Sequence, residues 1–181
     1  MIDREKANNI LKKHVTDDYQ LLHALMVATA LESYAKKLDK DIDLWFITGL
    51  LHDLDYGKFP DEHPMRSLEW FKEMDVSEEL IHGVEAHAYN ITGVEPATKL
   101  ASALIAVDEL SGFLYAYSLM RPSGFEGMSA SKAIKKLKDK AFASKISRDD
   151  IYYGVEKFDV DLAEHVTFLI GVFSFLSELK K

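Results

Sequence analysis

A histidine and an aspartate stand side by side at the end of an apolar segment. In the stretch LWFITGLLHDLDYGK, over residues 44–58, a nearly continuous apolar run ends at His52 and Asp53. An imidazole and a carboxylate at the edge of a core are unfavourable unless hydrogen bonds, charged partners or a metal ion satisfy them. Gly57 and Pro60 then interrupt the helix. The pair is therefore predicted at or near a helix C-terminus, where both side chains can turn toward one ion.

Other histidines and aspartates along the chain can complete such a site. His23 lies among apolar residues in the first turns of a predicted helix, and Asp108 interrupts a long apolar helix. Each buried polar group needs a partner of its own, and one metal ion satisfies them together. Two further histidines lie between the pair and Asp108, namely His63 and His87.

Three remaining histidines have simpler interpretations. His82 stands five residues before His87, so the two side chains point about 140° apart on a regular helix and are not expected to share a ligand role. His14 is predicted as a surface or capping residue, and His165 as a core or surface residue.

Composition narrows the possible classes of protein. The 181 residues, 48% of them apolar, are expected to form one soluble domain with a sizeable core. The absence of cysteine excludes disulfides, thiolate metal sites and cysteine nucleophiles. A net charge of −8 argues against general nucleic-acid binding. The charged N-terminus lacks a signal core, and no apolar run approaches the roughly 20 residues of a membrane helix, so a cytoplasmic location without membrane contact is expected.

The apolar periodicity predicts an all-α domain of eight or nine helices with short connections. Residues 3–13 form the first predicted helix, and the last is predicted from about Asp161 to Leu179. His63 is predicted at an N-cap because Pro64 suits the first turn of the next helix. The other predicted helix starts are marked by capping residues or a proline: Asp3, Asp17, Asp41 or Asp43, Ser77, Pro96 and Ser147.

The order of the candidate ligands resembles the HD-domain metal-dependent phosphohydrolase superfamily. The matching segments are LLHALMVA with His23, GLLHDLD with His52 and Asp53, and IAVDELSG with Asp108. The phrases GLLHDLDY, EHP and AVDELSGF are similar to a predicted HD hydrolase subgroup. The resemblance implies a single HD-type helical bundle over residues 1–181, with a metal-site core at about 17–120 and a C-terminal helical extension at about 130–181.

The resemblance also implies roles for these residues. His23, His52, Asp53 and Asp108 would bind a first metal ion, and the last three would carry catalysis. Some members of the superfamily hold a second ion through two more histidines, whose places His63 and His87 occupy. The alternative is a single ion, with His63 and His87 beside it or in contact with substrate. His82 could also take the place of His63 or of His87 as a ligand.

The ligand types do not select one metal, and the Gly-Lys pair of the family pattern is displaced in this chain. Nitrogen and oxygen ligands suit one or two divalent ions of Fe, Mn, Zn, Co, Ni or Mg, and a histidine-rich binuclear set favours Fe or Mn. The chain departs from the common HDxGK pattern because Gly57 and Lys58 come two residues late.

The activity implied is hydrolysis of a phosphoester by metal-activated water. The substrate would be a nucleotide or another small phosphorylated metabolite. The reaction would be hydrolysis of either a phosphomonoester or a phosphodiester. Asp55 and Glu109 are proton-shuttle candidates or ordinary solvated carboxylates. Cations must stabilise the negative charge on the phosphoryl group. The candidates are Lys58, Arg66, Arg121, Lys135 and Lys136. The alternative interpretation of Lys135 and Lys136, which belong to a lysine-rich stretch, is a solvated helix face.

Two other functions compete with this hypothesis. An HD-type di-iron oxygenase uses the same helical frame and ligand types. A non-catalytic binding or scaffold module would keep the metal for stability alone. The aromatic-rich final helix suits either a core or a homo-oligomer interface.

Overall fold

The computed structural model describes residues 2–178, and all regular secondary structure in that range is helical. It contains α1 (Arg4–His14), α2 (Asp18–Leu38), α3 (Ile42–Leu51), α4 (Met65–Glu73), α5 (Glu78–His87), α6 (Tyr89–Thr92), α7 (Lys99–Leu119), α8 (Ala130–Leu137), α9 (Arg148–Phe158) and α10 (Leu162–Glu178). The all-α prediction is confirmed. The described part has one or two helices more than predicted, and the four-residue α6 is one that the sequence did not indicate.

Local side-chain hydrogen bonds fix several of the helix starts. A carboxylate or hydroxyl at the N-cap accepts a hydrogen bond from a backbone N–H in the first turn, which has no partner within the helix. This occurs at Asp3, Asp17, Asp41, Ser77 and Ser147. The predicted end of the last helix at Leu179 lies outside the described residues.

The predicted N-cap of α4 was wrong by one residue. Pro64, not His63, occupies the N-cap, and it provides no side-chain hydrogen bond. The backbone N–H of Ser67, in the first turn of α4, instead donates to Asp55 Oδ2 at 2.9 Å. A carboxylate twelve residues earlier in the chain therefore caps this helix.

The described chain divides into two compact units, residues 2–104 and 105–178, with the boundary inside α7. In the first unit α2 and α3 form the most extensive helix pair, and α1 and α5 also pack on α3. In the second unit α8 packs on α10, and the ring of Phe125 contacts that of Phe173. The predicted single domain over residues 1–181 stays a prediction.

Helix α7 has the length and apolar composition of a membrane span, which the sequence analysis did not indicate. Of its most apolar 18 residues, 72% are buried within the protein. Core helices of soluble proteins commonly pass the same test of length and composition. Within the described residues, α7 is the one helix that passes it.

Candidate metal centre

The first unit brings four of the predicted ligands, all histidines, around the carboxylate of a fifth, Asp53. His23 lies on α2, and His87 is the last residue of α5. His52 is the C-cap of α3, so the predicted position of the His52–Asp53 pair at a helix C-terminus is confirmed. His63 lies in the loop before α4.

The two oxygens of Asp53 face different histidines. Oδ2 lies 3.9 Å from His23 Nε2 and 3.4 Å from His52 Nε2. Oδ1 lies 3.4 Å from His63 Nε2 and 3.6 Å from His87 Nε2. One carboxylate thus separates two histidine pairs.

These separations suit ligands that share an ion. Ligand atoms about 2.1 Å from one ion lie about 3.0–3.5 Å apart in octahedral or tetrahedral coordination. The ligand atoms of His23, His52 and Asp53 lie within 4.8 Å of one another, and so do those of Asp53, His63 and His87. The donor set of imidazole nitrogens and a carboxylate fits a divalent transition metal.

The opposite ring nitrogens are held so that Nε2 faces the centre. His52 Nδ1 donates to the backbone oxygen of Gly49 at 2.8 Å, and His87 Nδ1 donates to that of Val84. Both acceptors lie three residues earlier, in the last turn of a helix, where carbonyl groups lack intrahelical partners. A proton on Nδ1 leaves the Nε2 lone pair of a neutral imidazole available to a metal.

His63 and His87 face each other through their Nε2 atoms. Their Nε2 atoms are 3.0 Å apart, while His63 Nδ1 lies 2.6 Å from Asp55 Oδ1. If both neutral rings donate from Nδ1, two lone pairs face each other, which is repulsive unless a cation intervenes. A proton or a metal ion satisfies this geometry.

The charge environment keeps Asp53 ionised. Burial by itself would raise its pKa, but the electrostatic attraction of His52 and the close approach of His52, His87 and His63 outweigh that effect. The pKa of Asp53 is therefore held well below its ordinary value. An ionised carboxylate with 27% of its side chain exposed is ready to bind a cation.

Asp55 is the residue whose role the sequence analysis did not recognise. It is fully buried, so its interpretation as an ordinary solvated carboxylate was wrong. Burial acts to raise its pKa, and hydrogen bonds from His63 and Ser67 reverse the shift, so the pKa of Asp55 is lowered overall. No neighbouring residue in the sequence signals this burial, because the partners of Asp55 lie eight and twelve positions away.

The second unit contains Asp108 and Glu109, which are adjacent on α7 and partly buried. Glu109 Oε2 accepts a hydrogen bond from the backbone N–H of Ser147 at 3.3 Å. Glu109 therefore supports the start of α9, and its interpretation as a proton shuttle or a solvated carboxylate stays a prediction.

The other histidines have structural contacts. His82 Nε2 accepts a hydrogen bond from the backbone N–H of Ala97 at 2.9 Å, and His82 belongs to neither ligand group. The ring of His14 packs against that of Trp70, with the ring centroids 4.2 Å apart and the ring planes tilted by 43°. His165 is buried and donates from Nε2 to the backbone oxygen of Ala106 at 2.9 Å.

The candidate phosphate-binding cations differ in their surroundings. Lys58 and Lys135 are exposed, whereas Arg66 pairs with Glu62 at 2.7 Å and Glu69 at 3.0 Å. Arg121 donates to the backbone oxygen of Glu126 at 2.8 Å. Lys136 pairs with Asp139 at 2.9 Å. A phosphate bound by Arg66 or Lys136 would compete with these carboxylates.

Comparison with known proteins agrees with the ligand pattern. A family model described as HD domain matches residues 21–112, slightly more than half of the chain. The matched region contains every candidate metal ligand, namely His23, His52, Asp53, His63, His87 and Asp108. No curated protein and no solved structure matches the chain significantly. From the extent of the family match, the chain belongs to the HD domain family.

Proposed function

We propose that this protein is a metal-dependent phosphohydrolase that cleaves a phosphoester of a small metabolite, such as a nucleotide. The observation that carries the proposal is the division of the Asp53 carboxylate, with Oδ2 toward His23 and His52 and Oδ1 toward His63 and His87. A carboxylate whose two oxygens each face a different pair of histidines is suited to bind two ions, one through each oxygen. The family match supports the metal-dependent chemistry.

The ligands are assigned to two positions. His23, His52 and Asp53 hold the first ion, and Asp108 completes that set because it occupies the last position of the HD pattern. Asp53, His63 and His87 hold the second ion. Fe and Mn are the preferred metals for such a histidine-rich set.

The protein side chains prepare the site for in-line attack on phosphorus. A bound divalent ion supplies Lewis acidity and lowers the pKa of bound water from about 15.7 toward about 7. The Nδ1 hydrogen bonds of His52, His63 and His87 keep their Nε2 atoms directed at the centre. Fixed orientation of this kind avoids reorganisation during the reaction.

Charge on the phosphoryl group requires cationic partners. Lys58 is the candidate in the first unit that is exposed and has no carboxylate partner among its described contacts. Arg66 would have to exchange Glu62 or Glu69 for phosphate. The candidates in the second unit are Arg121, Lys135 and Lys136. A small phosphorylated substrate, rather than nucleic acid, is in keeping with the net charge of −8. A cytoplasmic setting is part of the proposal.

The proposal is tested by metal content and phosphate release. Protein purified without added metal is analysed for elements beside the Asp108→Ala variant, and both are assayed for release of phosphate from nucleoside monophosphates and cyclic diesters. About two equivalents of Fe or Mn with turnover, both reduced in the variant, are expected. Metal without phosphate release, but with oxygen consumption and a mixed-valence iron signal, would replace the proposal with a di-iron oxygenase. No metal after reconstitution would favour a binding module.

A further inference from the structure

Asp55 joins a candidate metal ligand to the start of a helix. Its side chain is fully buried. Oδ1 lies 2.6 Å from His63 Nδ1, and Oδ2 accepts from the backbone N–H of Ser67 at 2.9 Å. Since a buried carboxylate is stable only with good partners, these two contacts define its place in the fold.

The contact to Ser67 fixes Asp55 independently of any metal. Pro64 at the N-cap of α4 has no side chain that can accept a hydrogen bond, so the first-turn N–H of Ser67 relies on Asp55. The positive end of the α4 dipole also favours a carboxylate there. Asp55 is therefore anchored, and its second oxygen is presented to His63.

His63 differs from the two histidines beside it in how its Nδ1 is held. His52 and His87 donate to backbone carbonyls, which no substitution removes. His63 donates to a side chain. Its orientation and tautomer therefore depend on one replaceable residue.

Without Asp55, the closest alternative partner of His63 is His87. The two Nε2 atoms are 3.0 Å apart, which is hydrogen-bonding distance. A proton moved from Nδ1 to Nε2 of His63 would donate to His87 Nε2. That bond would occupy both nitrogens that are directed at the centre, and neither would then be available to a metal.

We propose that Asp55 is a positioning residue that holds His63 in the Nδ1–H tautomer and so determines whether the centre accepts its second ion. This inference rests on the proposed binuclear site. The first ion, held by His23, His52 and Asp53, does not depend on Asp55 for any of those ring orientations. The expected defect of an Asp55 variant is therefore specific to one of two ions.

The informative variant is Asp55→Asn, which keeps the size of the side chain. The two donors contact different oxygens of Asp55, and an amide has an accepting oxygen at only one of those two places. In this geometry the Nδ1–H of His63 and the N–H of Ser67 cannot both be satisfied. Asp61→Asn is the matched control because Asp61 lies exposed in the same loop. Unfolding curves of the metal-free proteins show that each variant is folded before it is compared.

The first measurement is the tautomer of His63 in metal-free protein, by ¹⁵N–¹H correlation spectroscopy at alkaline pH, where imidazoles are neutral. Wild type and Asp61→Asn are expected to show Nδ1–H. Asp55→Asn is expected to show an increased Nε2–H population. An unchanged tautomer in Asp55→Asn would overturn the proposal whether or not the protein is a hydrolase.

The second measurement is calorimetric titration with Mn²⁺. Wild type and Asp61→Asn are expected to bind two ions, and Asp55→Asn to keep the first with the second weakened about 10–100-fold, as for other residues that orient metal ligands. Equal weakening of both ions, or a single ion in wild type, would overturn the proposal. If Asp55→Asn loses the second ion but the wild type releases no phosphate, the positioning role of Asp55 is upheld and the hydrolase function is rejected.

Discussion

Gly49 of α3 lies directly against the backbone of Ala28 in α2. A Cβ atom at position 49 would stand 2.8 Å from both the Cα and the nitrogen of Ala28. Real Cβ contacts essentially never become this short, so the two helix backbones approach as closely as a glycine allows. Because α2 carries His23 and His52 is the C-cap of α3, this contact fixes the spacing of two candidate ligands.

Gly49→Ala is expected to separate the two helices. The obstructing atoms belong to the backbone of Ala28 and cannot move aside as a side chain would. Overpacking of this kind typically lowers the free energy of unfolding by about 1–3 kcal/mol. Urea unfolding of the metal-free protein measures that loss, and elemental analysis is expected to show reduced metal retention.

Gly171→Ala is the control for the helical propensity of alanine. Gly171 lies exposed on α10, and a Cβ there would meet nothing within 4 Å. Its replacement is expected to raise the free energy of unfolding by up to about 1 kcal/mol and to leave the metal content unchanged. If both glycine variants behaved alike, the close contact of Gly49 would not be what positions the ligands.

The predictions from sequence that succeeded depend on local interactions. Asp3, Asp17 and Ser77 cap helices through hydrogen bonds to residues three positions later, so the spacing in the sequence is sufficient to find them. The end of α3 was predicted from Gly57 and Pro60, two residues that interrupt a helix shortly after His52. Apolar periodicity then gave the fold class, because each helix must bury one face.

Features that depend on distant parts of the chain were not predictable. Asp55 contacts residues eight and twelve positions away, and nothing in its neighbours shows that the loop folds back to bury it. The sequence could not decide between Asp41 and Asp43 as the cap of α3, because both are aspartates near the start of the helix. The structure shows Asp41 as the cap, while Asp43 pairs with Arg4, 39 residues away, at 2.6 Å. The roles of the individual ligands stay predictions.

Arg148→Lys is expected to destabilise the segment between α8 and α9. The Arg148 guanidinium donates to five backbone carbonyls, those of Leu137, Asp139, Phe142, Ala143 and Ile146. A lysine has three donors on one nitrogen and cannot reach all of these acceptors. Because hydrogen bonds to charged groups contribute about 1.5–3 kcal/mol each, a loss of at least that size is expected in urea unfolding.

Limited trypsin digestion checks where this loss occurs. The segment contains exposed lysines at 138, 140 and 145, and faster cleavage there is expected in Arg148→Lys. Lys132→Ala, an exposed change on α8, is expected to stay within about 0.5 kcal/mol of wild type. Unchanged cleavage of Arg148→Lys would show that the carbonyl contacts contribute little to holding the segment.

His14 is expected to make stability depend on pH. Burial lowers its pKa first of all, and the charges of Lys13 and Lys58 lower it further. The unfolded chain therefore binds a proton more readily than the folded one. As pH falls through the unfolded value of about 6.5, protonation favours the unfolded state, and the loss of stability levels off below the folded pKa.

His14→Phe keeps a ring against Trp70 and removes the titration. The decrease in free energy of unfolding between about pH 7.5 and 5 is expected to be smaller in this variant than in wild type. Urea unfolding at a series of pH values, with chelator present, measures the difference. A decrease of equal size in both proteins would mean that other groups account for the acid sensitivity.

Asp53→Ala is expected to remove both metal ions and all phosphate release. Its two oxygens face the two histidine pairs separately, so one substitution deprives both positions of their shared anionic ligand. His82→Ala is the matched control, since His82 lies on α5 with His87 but bonds to Ala97 outside the centre. Elemental analysis and phosphate release are expected to be near wild type for His82→Ala and absent for Asp53→Ala. Loss of one ion alone in Asp53→Ala would show that the carboxylate serves a single metal, and the two histidine pairs would then have to be assigned to separate anionic ligands.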